Sequence, residues 1–169
     1  MTWTEAVVAG LERNGVTTVA HLPDSALAGL IDAIEADERF EAVRLSREEQ
    51  GIGILSGAYL GGERGVLLCQ SSGLATTING LASLSKPARI PFLGIVSRRG
   101  DLGEFNDAQV PFGYAAGRVL DDIGIRNRRL ESPEEIERDV DLAAKTAFST
   151  GEPYVLLLDA TLTGAKDEF

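Results

Sequence analysis

Short apolar runs alternate with helical segments along the chain, and this alternation constrains the fold more than any other feature. The runs predict strands at Val16–Leu22, Glu41–Leu45, Val66–Gln70, Ile90–Ser97 and Tyr154–Asp159. Segments with helical periodicity or helix caps lie between most of them. Strands joined through helices need crossover connections. The sequence therefore predicts an α/β fold of three layers, with a mostly parallel sheet and helices on both faces.

Capping residues predict where two of the helices begin. Asp24 or Ser25 is expected to cap a helix whose apolar face includes Leu27 and Leu30. Ser132, with Glu135 at the capping-box position, is expected to begin a helix that runs to residue 149.

Two further helices are predicted at 74–84 and at about 113–123, and residues 98–112 are expected to form a long polar loop. No repeat or linker interrupts the chain. We therefore expect one domain over residues 1–169, with a flexible tail after about residue 164.

Composition argues against several classes of function. A formal charge of −10 over 169 residues disfavours nucleic acid as a partner, because phosphate contacts need clustered Lys and Arg. No apolar run reaches the ~18 residues of a membrane helix, and no signal peptide is evident at the N-terminus. A cytoplasmic location is expected. The lone Cys69 lies in an apolar run and is expected to be a buried residue without a disulfide partner in the chain.

Two carboxylates stand where the second predicted strand turns into a helix. At a helix start, Glu48 and Glu49 would each stabilise the helix dipole by about 0.3–1 kcal/mol. Each glycine in a helix interior costs roughly 1 kcal/mol against alanine, so those that follow predict a ligand or a second backbone nearby. These glycines are Gly51, Gly53 and Gly57.

Polar residues gather at the carboxyl ends of the predicted strands, which is where α/β folds bind ligands. These strand-end segments are 21–24, 46–49, 70–73 and the loop from Arg98. The stretch after residue 97 is also locally basic, so a small anionic substrate is compatible with the acidic chain. Its arginines are Arg98, Arg99, Arg118, Arg126, Arg128 and Arg129.

The order of these motifs resembles the pyrimidine-binding (PYR) domain of thiamine-diphosphate enzymes, over roughly residues 5 to 160. The resemblance is closest to decarboxylases of sulfopyruvate and phosphonopyruvate. The motifs are Arg47-x-Glu49-Gln50-Gly51-x-Gly53, Gly57 to Gly62, Gln70-Ser71-Ser72-Gly73, Asn79 to Leu84, and Glu104 with Gln109-x-Pro111-x-Gly113.

The resemblance implies that the cofactor is thiamine diphosphate and that Glu49 is the catalytic residue. In that family the motif glutamate shares a proton with N1′ of the aminopyrimidine ring, and the cofactor accepts the electrons left by departing CO2. Glu48 is then a neighbouring cap. The turn formed by Gln70, Ser71, Ser72 and Gly73 is expected to line the cofactor pocket. The alternative is an ordinary strand–helix turn capped by Ser72, and the two interpretations are compatible with each other.

A short anionic 2-oxo acid is the implied substrate, and the residues expected to bind it are His21, Arg98, Arg99 and Gln109. The family's Ser-His-Arg-Gly is Ser97-Arg98-Arg99-Gly100 here, which adds a fixed cation suited to a sulfonate, phosphonate or carboxylate. Sulfopyruvate, giving sulfoacetaldehyde and CO2, is the favoured substrate, and phosphonopyruvate is next. For either arginine alone, a solvated loop position is an equal alternative.

The chain carries no convincing site for the diphosphate and its metal. Gly100-Asp101, with Asn127 downstream, imitates the family's Mg²⁺ motif, but Leu102 replaces its small third residue. No metal ligand is therefore assigned. Mg²⁺ and the diphosphate are expected to be held by a separate PP-domain beta subunit, in an α2β2 or larger assembly.

Other functions remain open from the residues alone. An acetolactate-type carboligase subunit would carry the same motifs, and a non-catalytic flavodoxin-like binding or regulatory module would have the same fold. A nucleophilic hydrolase is a poor interpretation, since the chain has no G-x-S-x-G motif.

Overall fold

The structure is a computed structural model that describes residues 1–164, and it contains a six-stranded, all-parallel sheet in the order β2-β1-β3-β4-β6-β5. The expected α/β class with a parallel sheet is confirmed. The predicted tail lies outside the described residues. The strands are β1 Val16–His21, β2 Glu41–Arg44, β3 Arg64–Gln70, β4 Leu93–Ser97, β5 Arg126–Leu130 and β6 Tyr154–Leu158.

Seven α-helices cover the sheet within the described residues. They are α1 Trp3–Arg13, α2 Ala28–Glu35, α3 Glu48–Leu60, α4 Ser71–Gly80, α5 Val110–Asp122, α6 Ile136–Thr150 and α7 Ala160–Thr163. Helix α4 continues into a π-helical turn, Leu81–Ser85, and short 3₁₀ helices at Asp107–Gln109 and Pro133–Glu135 precede α5 and α6. None of the helices in residues 1–164 is both long and apolar enough to cross a membrane.

The sheet separates two apolar cores. On one face α1, α2 and α6 bury residues such as Leu11, Leu30 and Val140. On the other face α3, α4 and α5 bury residues such as Ile52 and Leu74. The chain reverses its direction across the sheet between β1 and β3, the place where parallel α/β sheets open a crevice for ligands.

Strand β5 was missed by the sequence analysis, which placed no strand between residues 123 and 132. Its sequence, Arg-Asn-Arg-Arg-Leu, shows no apolar alternation, and only Leu130 of this strand is buried. The strand lies at the edge of the sheet and pairs with β6 alone. Backbone pairing and ion pairs from Arg128 to Asp139 and from Arg129 to Asp159 hold it in place, and periodicity does not reveal such contacts.

Both predicted helix caps are wrong. Helix α2 begins at Ala28, without a side-chain cap, although its predicted apolar face is buried. The carboxylate of Asp24 instead accepts a hydrogen bond from the Ser97 hydroxyl at 2.8 Å. Helix α6 begins after a 3₁₀ turn, and the Ser132 hydroxyl donates to Glu134 rather than capping the helix.

Other boundaries moved by a few residues. Helix α4 begins three residues before the predicted start at 74, and β4 begins three residues after the predicted start at 90. Helix α5 starts at Val110, so the predicted loop of 98–112 is shorter than expected.

Cys69 is fully buried, as predicted. Burial raises the pKa of its thiol, and the negative charges of Glu48 and Asp24 raise it further.

Candidate functional site

The start of α3 is packed tightly onto the sheet. A Cβ atom on Gly51 would lie 2.8 Å from Leu67 Cδ1 and 3.0 Å from Leu45 Cδ1, so any side chain there would have to displace these leucine methyl groups. The Gln50 side chain turns back and accepts hydrogen bonds from the amides of Ser46 and Arg47, both at 3.1 Å. The packing of Gly51 therefore explains one of the three glycines by contact with neighbouring strands rather than with a ligand.

The two carboxylates of α3 point in different directions. Glu48 is half-buried and contacts Gly73 in the first turn of α4, where a Cβ atom would lie 2.0 Å from Glu48 Oε1. Glu49 is 50% exposed and pairs with Arg47 at 3.1 Å. Helix α4 has no acidic residue in its own first turn. Glu48 thus brings a negative charge to a helix start, where the dipole favours one.

The turn between β3 and α4 is assembled from the predicted cofactor residues. Gln70 is the cap of α4, and its side chain accepts a hydrogen bond from the Ser72 amide at 3.2 Å. Ser71 is fully buried, and its hydroxyl accepts from the Arg99 amide at 3.1 Å. Ser72 is exposed and does not cap the helix. The structure brings these residues together beside Glu48.

Arg98 belongs to a buried ion-pair network. The residue is 7% exposed, and its Nη1 donates to Asp101 at 2.8 Å and to Asp159 at 2.9 Å. Arg129 also donates to Asp159, through Nε at 2.8 Å. The hydrogen bond from Arg98, with help from the charge of Arg129, lowers the pKa of Asp101. A solvated loop position is therefore excluded for Arg98.

Arg99 is engaged by a second buried carboxylate. Its Nε and Nη2 donate to Glu104 at 2.8 and 2.9 Å, and the Gly100 amide donates to the same carboxylate at 3.1 Å. Burial alone would raise the pKa of Glu104, but the hydrogen bonds from Arg99 and from backbone amides outweigh it and hold that pKa at about 2. Glu104 thus organises the loop after β4.

Two glycines hold this loop against the start of α5. Gly100 has a φ of +84°, and a Cβ atom there would lie 2.7 Å from the Gln109 carbonyl oxygen. A Cβ atom on Gly113 would lie 2.1 Å from the Arg99 carbonyl oxygen. The Gln109 side chain has a buried Oε1 with no hydrogen-bond partner among residues 1–164. The two glycine-containing motifs that follow β4 are therefore parts of one packed structure.

The predicted substrate residues do not share one cavity: His21 lies apart from Arg98 and Arg99, Arg98 also lines a further cavity beside Tyr114, and Gln109 lines none of these three. Arg98 and Arg99 line a cavity of about 220 Å³ between the loop after β4, Ser25 and α7. His21 lines another cavity, of about 390 Å³, with Glu35 of α2 and Arg44 of β2. The turn containing Ser25 borders both cavities.

His21 is buried, and its Nε2 lies 3.2 Å from Glu35 Oε1. That contact is not a hydrogen bond, and within residues 1–164 both buried ring nitrogens lack a hydrogen-bond partner. Burial lowers the pKa of His21, although the charge of Glu35 opposes the shift. The imidazole lies on the α2 side of the sheet, away from Glu48 and Glu49.

The sequence pattern described as "Thiamine pyrophosphate enzyme, N-terminal TPP binding domain" matches residues 1–104. The chain belongs to this family. The matched range contains the carboxylate pair of α3, the turn 70–73 and the loop from Arg98 to Glu104, whereas Arg129, Asp159, α7 and the start of α5 lie beyond it. Thiamine pyrophosphate is another name for thiamine diphosphate.

Several relatives match nearly the whole chain. Sulfopyruvate decarboxylase subunit alpha of Methanococcus maripaludis is 36% identical over 160 residues, which are 95% of this chain and 96% of that one. Sulfopyruvate decarboxylase of Methanosarcina acetivorans is 30% identical over 163 residues, which are 96% of this chain but only 41% of that one. Phosphonopyruvate decarboxylases of Streptomyces are also similar.

A solved structure shares the fold. The 2-oxoglutarate:ferredoxin oxidoreductase from Magnetococcus marinus superposes with a TM-score of 0.78 over 96% of this chain and 29% of that one, at 17% identity. At this identity the likeness concerns the three-layer architecture alone.

The sequence analysis did not place three acidic residues among the catalytic or binding residues of the site. Glu48 was taken for a bystander, and Glu104 and Asp159 were not linked to the arginines they hold. Asp159 follows β6 directly, so the rule that polar residues at strand ends form the site would have found it. Within residues 1–164 no cluster of His, Cys, Asp and Glu is arranged to hold a metal ion.

Proposed function

We propose that this chain is the alpha, PYR-type subunit of a thiamine-diphosphate-dependent decarboxylase that converts 3-sulfopyruvate to sulfoacetaldehyde and CO2. The observation that carries the proposal is the corner between α3 and α4, where a half-buried carboxylate meets a glycine at a helix start. The corner lies at the carboxyl edge of the sheet, beside the reversal between β1 and β3. The named relatives support the same function.

The residues at this corner fit the aminopyrimidine half of the cofactor. When bound, thiamine diphosphate supplies the electron sink for decarboxylation. The protein's part is to share a proton with N1′ through a carboxylate, and to hold the ring in place. We propose that Gln70, Ser71, Ser72 and Gly73 line this pocket, with Ser72 exposed toward it and Ser71 fixing the turn to Arg99.

The proton-sharing role of Glu49 stays a prediction, and the geometry supports a second candidate. Glu49 is half exposed at the start of α3, so it reaches a cofactor held on the outer side of this chain. Glu48 is half-buried against Gly73, and partial exclusion of water strengthens a hydrogen bond that shares a proton. The contact with the turn 70–73 favours Glu48.

The anionic end of the substrate is proposed to bind in the cavity lined by Arg98 and Arg99. Both guanidinium groups are already paired with carboxylates, but each group has five N–H donors, and Arg98 uses its Nη1 for both of its carboxylates. The unpaired Oε1 of Gln109 supports a polar ligand near the same loop. His21 faces the other cavity, so a substrate role for it receives no support from its position.

The diphosphate and Mg²⁺ are proposed to be held by a PP-domain beta subunit, in an α2β2 or larger assembly. The relative from Methanococcus is named as a subunit, and this chain matches 41% of the relative from Methanosarcina. The remainder of that longer chain is where a fused PP domain would lie.

The substrate is tested by combining the chain with its candidate PP-domain subunit, thiamine diphosphate and Mg²⁺, and measuring CO2 release from three acids. We expect kcat/KM to be highest for sulfopyruvate, lower for phosphonopyruvate and lowest for pyruvate. A preference for phosphonopyruvate would reassign the substrate. Formation of acetolactate from pyruvate would support a carboligase, and cofactor binding without turnover of any acid would support a non-catalytic module.

A further inference from the structure

A cavity of about 390 Å³ lies between β1, β2 and α2, apart from the corner of α3 and α4. His21 and Arg44 are neighbours in the register of β1 and β2, and both line this cavity. Helix α2 contributes one stripe of residues to its wall, at the spacing of side chains that share a helix face. The stripe consists of Ala28, Ile31, Asp32 and Glu35.

His21 is the buried polar residue of this lining. It is 1% exposed, and within residues 1–164 neither ring nitrogen has a hydrogen-bond partner. Burial lowers the pKa of His21, so the ring is neutral at pH 7 and offers one donor and one acceptor nitrogen. Buried polar groups without a partner are uncommon in folded proteins. The position of this ring beside a cavity therefore favours a polar ligand there.

The charged groups at the rim of the cavity also lack protein partners. Within residues 1–164, neither Arg44 nor Asp32 has an oppositely charged group within ion-pair distance. Glu35 lies 3.2 Å from His21 without a hydrogen bond, so a donor that binds Glu35 breaks none. Both arginines of the cavity proposed for the substrate, in contrast, are already held by carboxylates. The rim beside His21 can therefore bind an ion without losing a contact.

The signs of these charges restrict the ligand. Three carboxylates line the cavity, from Asp24, Asp32 and Glu35, against the single guanidinium of Arg44. A ligand with negative charge alone would be repelled by the carboxylates, and one with positive charge alone would leave Arg44 unpaired. A zwitterion satisfies both, since its carboxylate fits the guanidinium fork and its ammonium group fits the carboxylates.

We propose that this cavity, called here the His21 cavity, binds a small aliphatic α-amino acid. Its carboxylate pairs with Arg44, its ammonium group pairs with Asp32 and Glu35, and its aliphatic side chain packs on Ile31. The proposed 2-oxo acid substrate is excluded from this role, because it has a ketone in place of the ammonium group. Ser25 lines both cavities, so the amino acid would bind beside the proposed substrate cavity.

Titration of the full chain with L-leucine tests the inference, and His21 itself reports the result. The chain has a single histidine, so its ring C–H signals in proton NMR identify themselves. We expect these signals to shift and to saturate with a Kd of about 1 mM, as for a good ligand of this size. Its analogue α-ketoisocaproate lacks the ammonium group, and isoamylamine lacks the carboxylate. Each should bind at least about 10-fold more weakly.

Substitutions at the rim locate the site. Arg44→Gln and Glu35→Gln should each weaken binding of L-leucine about 10-fold, because each removes one charged partner. Arg126→Gln is the matched control, since Arg126 is exposed on the other edge strand and also lacks an ion-pair partner within residues 1–164. It should bind within about twofold of the unaltered chain. All three residues are exposed, so the variants should fold, which thermal unfolding verifies.

Four results would overturn the inference. If the His21 signals do not move at the highest soluble concentration of L-leucine, the cavity is not an amino-acid site. Equal binding of α-ketoisocaproate would make it an anion site, and equal binding of isoamylamine would make it a cation site. Equal losses in Arg126→Gln and Arg44→Gln would place the binding elsewhere. The chain is titrated without partner or cofactor, so none of these results decides the decarboxylase proposal, which CO2 release tests separately.

Discussion

The two helical layers that cover the sheet differ in how their outer surfaces are built. In the layer of α1, α2 and α6, Arg13 pairs with Glu137, Lys145 pairs with Asp141, and α6 alone carries five charged residues. In the layer of α3, α4 and α5, the first two helices carry charge only at the start of α3. The first surface is suited to water, whereas in the second layer α3 and α4 present an almost uncharged surface and only α5 carries charges along its length, at Arg118, Asp121 and Asp122.

Glycines show the same difference in packing. Gly10 of α1 lies against α6, where a Cβ atom would be 2.5 Å from Val140 Cγ1, so this glycine serves contact within the chain. Gly53 and Gly57 of α3 face open space. A helical glycine that no neighbour within the chain requires is therefore a useful sign of a surface that works in an assembly.

The largest effect is expected from the carboxylates of α3. Glu48→Gln or Glu49→Gln should lower kcat of the reconstituted enzyme by about 100- to 10,000-fold, because a proton-sharing group is lost from the site. The matched control Glu137→Gln, in the opposite layer, should leave kcat within about twofold. Steady-state CO2 release measures all three. The variant with the larger loss of kcat identifies the catalytic carboxylate. If kcat falls only slightly in both variants, neither Glu48 nor Glu49 is catalytic.

A second comparison separates the inner and outer sides of α3. Leu55→Ala empties a buried position and should lower the free energy of unfolding of the chain alone by about 2–5 kcal/mol. Leu60→Ala removes a 77% exposed side chain and should change it by less than about 0.5 kcal/mol. Urea unfolding of the chain alone measures the free energy of unfolding of both variants. A large loss for Leu60→Ala would mean that this leucine serves the fold rather than an assembly.

Contact between α3 and α4 is tested by Gly73→Ala. The added methyl group occupies the place of the Glu48 carboxylate and should displace it, lowering kcat roughly 10- to 100-fold if Glu48 acts on the cofactor. Gly29→Ala in α2, where the nearest atom would be 4.0 Å away, is the control in the other layer and should keep full activity. Unaltered kcat in Gly73→Ala would favour Glu49.

The smallest effect is a dependence of stability on pH at the loop beside α5. The pKa of Glu104 is lowered from 4.5 to about 2, so the ionised carboxylate stabilises the fold above pH 4.5 and this contribution is lost as pH falls toward 2. Glu104→Gln should therefore lose less stability than the unaltered chain between pH 4.5 and 2.5. Urea unfolding across that range measures it, and parallel curves would show that Glu104 is not held as described.

The sequence predicted the features that depend on local pattern. The buried face of α2 follows from the spacing of Leu27, Leu30 and Ile31, and the strand-end motifs identified the family. Strand β5 was not predicted because its stability comes from pairing with β6 and from carboxylates far along the chain. Such contacts leave no periodic signal in Arg126–Leu130.

The choice between Glu48 and Glu49 shows a second limit. Adjacent residues of a helix point about 100° apart, so only the rotation of α3 decides which carboxylate meets α4. Packing of Gly51 on Leu67 fixes that rotation. The sequence reveals that a carboxylate stands at this strand end, and tertiary contact decides which one faces Gly73.

The central claim is that the α3–α4 side of this chain is one half of a thiamine-diphosphate site. Its most direct test is to titrate the PP-domain subunit into a fixed amount of this chain, with the cofactor and Mg²⁺ present, and to follow CO2 release from sulfopyruvate. We predict no turnover from either subunit alone and a rate that saturates at equal amounts of the two. Turnover by this chain alone, or none at any ratio, would contradict the account.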